Sequence, residues 1–172
     1  MKAVVQRVLN ASVTVEGHLK GSIENGLLVY LGVAHDDTGP DADWLVNKII
    51  NLRIFDDSDN IMNLSLEDII NQNGSAVNEN SVNQNKIPVN CNKKTGILVI
   101  SQFTLLGDAR KGRRPSWGKA APPEMARKLY DYFIEKTREN GIVCECGEFQ
   151  ARMLVNYTNE GPVTILLDSK ES

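Results

Sequence analysis

The sequence predicts an α+β fold. Strand-like runs gather at both ends of the chain, only two long amphipathic helices separate them, and no regular alternation of strand and helix develops. At 172 residues the chain is long enough to bury one substantial core and too short for two, so a single domain over 1–172 is expected.

Lys2–Val15 and Leu27–Val33 carry β-branched residues and leucines in short runs, and Glu16-Gly17 and Asn25-Gly26 supply turn chemistry. A hairpin or meander therefore opens the domain. Asp41–Leu52 sets Trp44, Leu45, Lys48, Ile49 and Leu52 at three- and four-residue spacing behind Gly39-Pro40, the pattern of an amphipathic helix. Arg53-Ile54-Phe55 reads as a short strand. The acidic run Asp56-Asp57-Ser58-Asp59-Asn60 lacks the spaced glycine and closing glutamate of an EF-hand, so it reads as a solvated turn. Asn71–Thr95 is rich in asparagine and poor in apolar side chains, the composition of a flexible insertion. Gly96–Leu105 is the strongest strand, apolar on both faces at its start and hence central. Pro122 and Pro123 open a second helix with an apolar stripe of Met125, Leu129, Tyr132, Phe133 and the stem of Lys136, and Gly141 closes it. Ile142–Cys146, Met153–Tyr157 and, beyond Gly161-Pro162, Val163–Leu167 complete the strands.

Composition excludes several classes of function. A hydrophobic share of 41% without any run of membrane-spanning length leaves no place for a membrane segment. The first residues alternate like a strand rather than a signal peptide, so a cytoplasmic location is expected. Cys91, Cys144 and Cys146 form an odd set with no CxxC pair and no histidine at ligand spacing, so neither disulfides nor a metal site is expected. Cys144 and Cys146 fall on the same side of a strand, where small side chains pack. The net charge of −3 confines any nucleic-acid contact to a local patch. Arg110-Lys111-Gly112-Arg113-Arg114, with Lys119 and beside Trp117, is that patch.

Standard catalytic sets are absent: the chain has no Gly-x-Ser-x-Gly elbow, no Walker loop and no dinucleotide fingerprint. His18 sits in a turn and His35 at a strand end, poor material for a Ser-His-Asp triad. Catalysis then rests on backbone groups, hydroxyls or the substrate's own atoms, and no cofactor is called for.

Two stretches remain. Ser101-Gln102-Phe103-Thr104-Leu105, followed by Lys111-Gly112-Arg113-Arg114-Pro115-Ser116-Trp117, and Asn159-Glu160-Gly161-Pro162-Val163-Thr164 together resemble the two signature motifs of the D-aminoacyl-tRNA deacylases. Met1–Val8, Asn63-Leu64-Ser65 and Leu129–Phe133 are similar to that family as well. The asparagine-rich insertion departs from it, standing where the family has a short turn.

The resemblance implies a compact, β-rich, barrel-like fold of mixed sheets with two main flanking helices, working as a homodimer with active sites at the subunit interface. It implies a cleft for the 3′ end of aminoacylated tRNA, with Ser101, Gln102, Phe103 and Thr104 as catalytic residues. Gly161 and Pro162 would bind substrate from the partner subunit through a cis peptide, anchored by Arg7, while Met153 and Ala126 line the pocket. Lys111, Arg113 and Arg114 would meet tRNA phosphates. Read as one extended strand, Ser101 and Phe103 face one way, and Gln102 and Thr104 the other. Two other functions fit the residues: a hydrolase of another ester with Ser101 or Thr104 as nucleophile, and a nucleic-acid-binding protein using the basic 110–119 loop.

Overall fold

In the computed structural model the described residues, 1–75, 94–110 and 112–171, form eight strands and three α-helices. The strands are β1 (Lys2–Val15), β2 (His18–Ile23), β3 (Gly26–Gly32), β4 (Phe55–Asp56), β5 (Met62–Leu64), β6 (Gly96–Ser101), β7 (Val143–Cys146) and β8 (Met153–Asp168). The helices are α1 (Gly39–Ile50), α2 (Leu66–Ser75) and α3 (Pro123–Glu139).

β1 is the spine, pairing antiparallel with β2, β3 and β8. The sheet continues from β3 to β6 and β7 through parallel ladders, which makes it mixed, as expected. It curls until its ends meet. A Cβ on Gly21 of β2 would lie 3.0 Å from the Cys146 carbonyl oxygen on β7, and Lys20 pairs with Glu148 at 2.9 Å, so the barrel-like reading holds.

Two apolar layers follow from strand alternation. Val5, Leu27, Val29, Ile97 and Val99 pack outward against Leu45 and Ile49 of α1 and Phe133 of α3. Val8, Val13, Leu28, Leu98 and Ile100 fill the inside of the curl. Each of the larger fully buried side chains contributes about 1.5–3 kcal/mol. Cys144 is buried in the outer layer with Cys146 packed against it, the small-side-chain role its spacing suggests. No helix among the described residues is long and apolar enough to cross a membrane.

Several expectations are corrected. The strand anticipated over Gly96–Leu105 stops at Ser101: the Gln102 N–H makes a last ladder bond to the Leu31 carbonyl (2.8 Å), and the chain then coils into a 3-10 turn, Phe103–Leu106. The Ser101/Phe103 and Gln102/Thr104 alternation therefore does not hold. The strands anticipated on either side of Gly161-Pro162 are one strand, β8, whose ladder with β1 breaks between Thr164, opposite Gln6, and Asn159, opposite Val8. The extra residues on β8 leave the ladder as a bulge. Helix α2 was not anticipated, although Ser65-Leu66-Glu67-Asp68 is a capping sequence: Ser65 N–H and Oγ both donate to the Asp68 carboxylate, at 2.8 and 2.7 Å. The buried stripe of α3 is Tyr130, Phe133, Ile134 and Thr137; of the expected residues Phe133 lies within it and Leu129 and Tyr132 pack at its edge, with the Tyr132 hydroxyl donating to Asp43 on α1. Residues 76–93 of the asparagine-rich stretch, Cys91 among them, lie outside the described residues.

Asp41 ties the C-terminal segment of the chain to α1. Its carboxylate accepts from the Thr38 N–H (2.8 Å), from Ser169 (2.7 Å) and from Lys170 (2.9 Å). Burial opposes its charge, but these partners outweigh burial and hold the carboxyl well below the usual range. Its contribution is therefore complete above the unfolded value and is lost as pH falls through the folded one. We expect Asp41→Asn to lower stability at pH 7 by about 1–2 kcal/mol, with a smaller deficit at about pH 3, in urea melts. A deficit that grows toward acid would contradict the assignment.

Candidate active site

The site begins where β6 ends. The 3-10 turn packs on β3 because Gly32 has no side chain: a Cβ there would lie 2.5 Å from Leu106 Cδ2 and 3.0 Å from the Gln102 carbonyl oxygen. The first hydrogen bond of the turn runs from Leu105 N–H to the Gln102 carbonyl, 3.3 Å. The Phe103 and Thr104 amides precede that bond, so the turn itself leaves them without an internal acceptor. Gln102 Nε2 donates to Thr104 Oγ1, which engages the threonine hydroxyl.

Beside this turn opens a cavity of about 580 Å³, a size suited to a small-molecule group. Ser101, Gln102 and Phe103 line it with Ala126 of α3 and Met153 of β8, so five sequence-selected residues from three distant segments meet there. Gly147 makes room for the thioether, since a Cβ on it would lie 2.4 Å from Met153 Sδ. Tyr130 and Phe149 also line the cavity, their ring centroids 5.8 Å apart, and sequence reasoning did not select them. Tyr130 lay within a noted helical segment, but Phe149 sits in an irregular turn that no periodicity marks. The Tyr130 hydroxyl donates to the Val99 carbonyl (2.9 Å), and burial pushes its pKa far up, out of reach of base chemistry.

No charged residue lines this cavity among the described residues. His18 and His35 are both outside it, His18 on the exposed start of β2.

Thr104, Arg7, Gly161 and Pro162 are not among the lining residues. Gly161-Pro162 is a cis peptide, exposed at the β8 bulge. The bulge is held from beneath: Asn159 Nδ2 donates to the Arg7 carbonyl (3.2 Å) and the Val163 carbonyl (3.0 Å). Arg7 is buried, donates to the Ile54 carbonyl (2.7 Å), and pairs with Asp56 (3.1 Å) and Glu160 (3.2 Å). A Cβ on Gly161 would lie 3.3 Å from Arg7 Nη2, so the arginine abuts the Gly-Pro segment. Arg113 and Arg114 are exposed on a loop braced by paired hydrogen bonds between Asp108 and Ser116, both 2.9 Å. Lys111 lies outside the described residues.

The profile of the D-Tyr-tRNA(Tyr) deacylase family matches residues 4–77 and 70–168, in two pieces that meet at the asparagine-rich stretch. A D-aminoacyl-tRNA deacylase of Thermosipho melanesiensis is 53% identical over 172 residues, covering 99% of each chain.

The chain belongs to the D-Tyr-tRNA(Tyr) deacylase family.

Another D-aminoacyl-tRNA deacylase, from Clostridioides difficile, is 47% identical over 100% of this chain and 99% of its own. Among solved structures, the c-Myc DNA unwinding element binding protein superposes with a TM-score of 0.79 at 35% identity, covering 98% of both chains. A probable eukaryotic D-amino acid tRNA deacylase superposes at 0.71 and shares the fold at 17% identity, over 96% of this chain and 97% of its own. Membership makes this deacylase-family protein an enzyme, a hydrolase of ester bonds.

Proposed function

We propose that the protein hydrolyses the ester bond of D-aminoacyl-tRNA, and of glycine wrongly attached to tRNA, acting as a single domain that pairs into a homodimer. The observation that carries this reading is the uncharged cavity at the Ser101-Gln102-Phe103 turn, in a chain 53% identical over nearly its whole length to a D-aminoacyl-tRNA deacylase. The cavity takes the 3′-terminal adenosine. The Phe103 and Thr104 amides face the developing oxyanion, each donor supplying on the order of 3 kcal/mol. Because an aminoacyl ester is already activated, this help and the terminal ribose 2′-hydroxyl suffice without a side-chain base.

Gly161 and Pro162 reach into the partner subunit's cleft, where their main-chain carbonyls stand beside the substrate α-carbon. An L side chain clashes there and a hydrogen does not, so selection works by exclusion. Two features support a second copy as the recipient: the dipeptide is exposed and does not line its own chain's cavity, and β8 leaves Leu154 and Leu166 63% and 76% exposed.

Release of D-tyrosine, L-tyrosine and glycine from matched charged tRNAs tests the proposal. We expect rapid loss of the first, retention of the second and measurable loss of the third. Equal release of D- and L-tyrosine would end the exclusion reading.

A second reading has one observation in its favour, the 35% identity to a protein named for binding a DNA unwinding element. Duplex DNA binding through Arg113 and Arg114 that persists at physiological salt, without deacylation, would favour it.

A further inference from the structure

Phe103 and Trp117 stand at the mouth of the cavity in an unusual state for large aromatic side chains. They are 58% and 40% exposed, with ring centroids 5.3 Å apart and planes inclined at 74°. Only Phe103 lines the cavity, so Trp117 extends the aromatic surface outward from it.

The pair is held in place from below. Gly107 lies directly under the indole, where a Cβ would come within 2.5 Å of Trp117 Cζ3, and the Gly107 N–H is fixed to the Thr104 carbonyl at 3.0 Å. On the far side the Trp117 carbonyl accepts from the Ala120 N–H (3.0 Å), and the Lys119 carbonyl accepts from the His35 N–H (3.1 Å). Two partly exposed rings on a braced backbone form a surface organised before any ligand arrives, which lessens the ordering cost of binding.

The charge around the rings selects the partner. Arg110 is committed to Asp108, with Nε 2.9 Å from Oδ1. Arg113 and Arg114 are exposed on the same loop, and no ion pair involves them among the described residues. Aromatic faces beside uncommitted guanidinium groups suit a base with its phosphodiester rather than an apolar peptide.

We propose that Phe103 and Trp117 form a stacking platform for the base preceding the terminal adenosine, with Arg113 and Arg114 supplying charge for its phosphodiester. This rests on the reading that the cavity takes the terminal adenosine. The platform extends recognition from one nucleotide to two. Because every base has a π-face, it favours a single-stranded RNA end without reading its sequence.

Competition against D-tyrosyl-tRNA hydrolysis by adenosine, AMP and the dinucleotide cytidylyl-adenosine tests the platform. In the wild-type protein the dinucleotide is expected to inhibit about ten-fold more tightly than AMP, which carries the phosphate but no second base. Trp117→Ala should abolish that step, and Trp117→Phe should keep most of it. Equal inhibition by AMP and the dinucleotide in the wild-type protein, or a step that survives in Trp117→Ala, would overturn the proposal. Failure of all three compounds to inhibit would instead remove the adenosine assignment, and the platform with it.

A second readout does not depend on how Trp117→Ala folds. The chain has two tryptophans, Trp44 and Trp117, so in Trp44→Phe the emission reports on Trp117 alone. The dinucleotide should quench that emission and AMP should not. An unchanged signal with the dinucleotide at inhibitory concentration would count against stacking.

Discussion

Replacing Gly161 with alanine is expected to lower turnover of D-tyrosyl-tRNA by about 100-fold, the loss that follows when a positioning element shifts by about an ångström. Gly161 has φ +112°, a conformation that L side chains rarely adopt. An added Cβ would also lie 2.9 Å from Val163 Cγ2 and 3.2 Å from the Val163 nitrogen. The strain is local to an exposed bulge, so the stability loss should stay within about 1–3 kcal/mol and the protein should remain folded. Mixing separates action in the partner's cleft from action at home. Ala126→Phe fills the cavity but leaves the bulge intact, whereas Gly161→Ala does the reverse. Random pairing of the two inactive proteins should restore about a quarter of wild-type activity, because half the dimers carry one complete site of two. A mixture that stays inactive would show that the segment does not serve a neighbouring cleft.

A substrate ending in 2′-deoxyadenosine should be hydrolysed about 100-fold or more slowly, the lower end of what a positioned proton-transfer group contributes. The reason lies in the walls of the cavity. Among the described residues none that lines it is ionisable near neutrality, the Tyr130 hydroxyl is committed to the Val99 carbonyl, and Thr104 accepts from Gln102. Thr104→Ala should therefore cost no more than about ten-fold, with the proposed oxyanion donors intact because they are backbone groups. Comparable losses from Thr104→Ala and from the deoxy substrate, or an acyl group trapped on Thr104, would restore the nucleophile reading.

The sites of both predictions were legible in the sequence to different degrees. Residues selected by motif, Ser101-Gln102-Phe103, Ala126 and Met153, do converge on one cavity. Their local conformation was harder to see: Gly96–Leu105 is apolar and β-branched enough to read as one strand, and only the approach permitted by Gly32 allows the chain to coil at Phe103. Tyr130 escaped notice because its place on the buried face depends on how α3 packs against the sheet. Helix α2 escaped because its polar second turn runs into the asparagine-rich stretch, and composition outweighed the Ser65–Asp68 cap.

The sequence alone determined what short-range chemistry controls: the opening strand over Lys2–Val15, the turn at Glu16-Gly17, and the helices opened by Pro40 and Pro123. Only the tertiary structure decided which distant segments share a wall, how β8 bulges over Arg7, and that Gly161-Pro162 is exposed and does not line its own chain's cavity. The physical reason is one of range. Propensity and periodicity act over a few residues, whereas register, close backbone approach at Gly21, Gly32 and Gly147, and the partnering of a buried arginine depend on segments that meet only when the sheet closes.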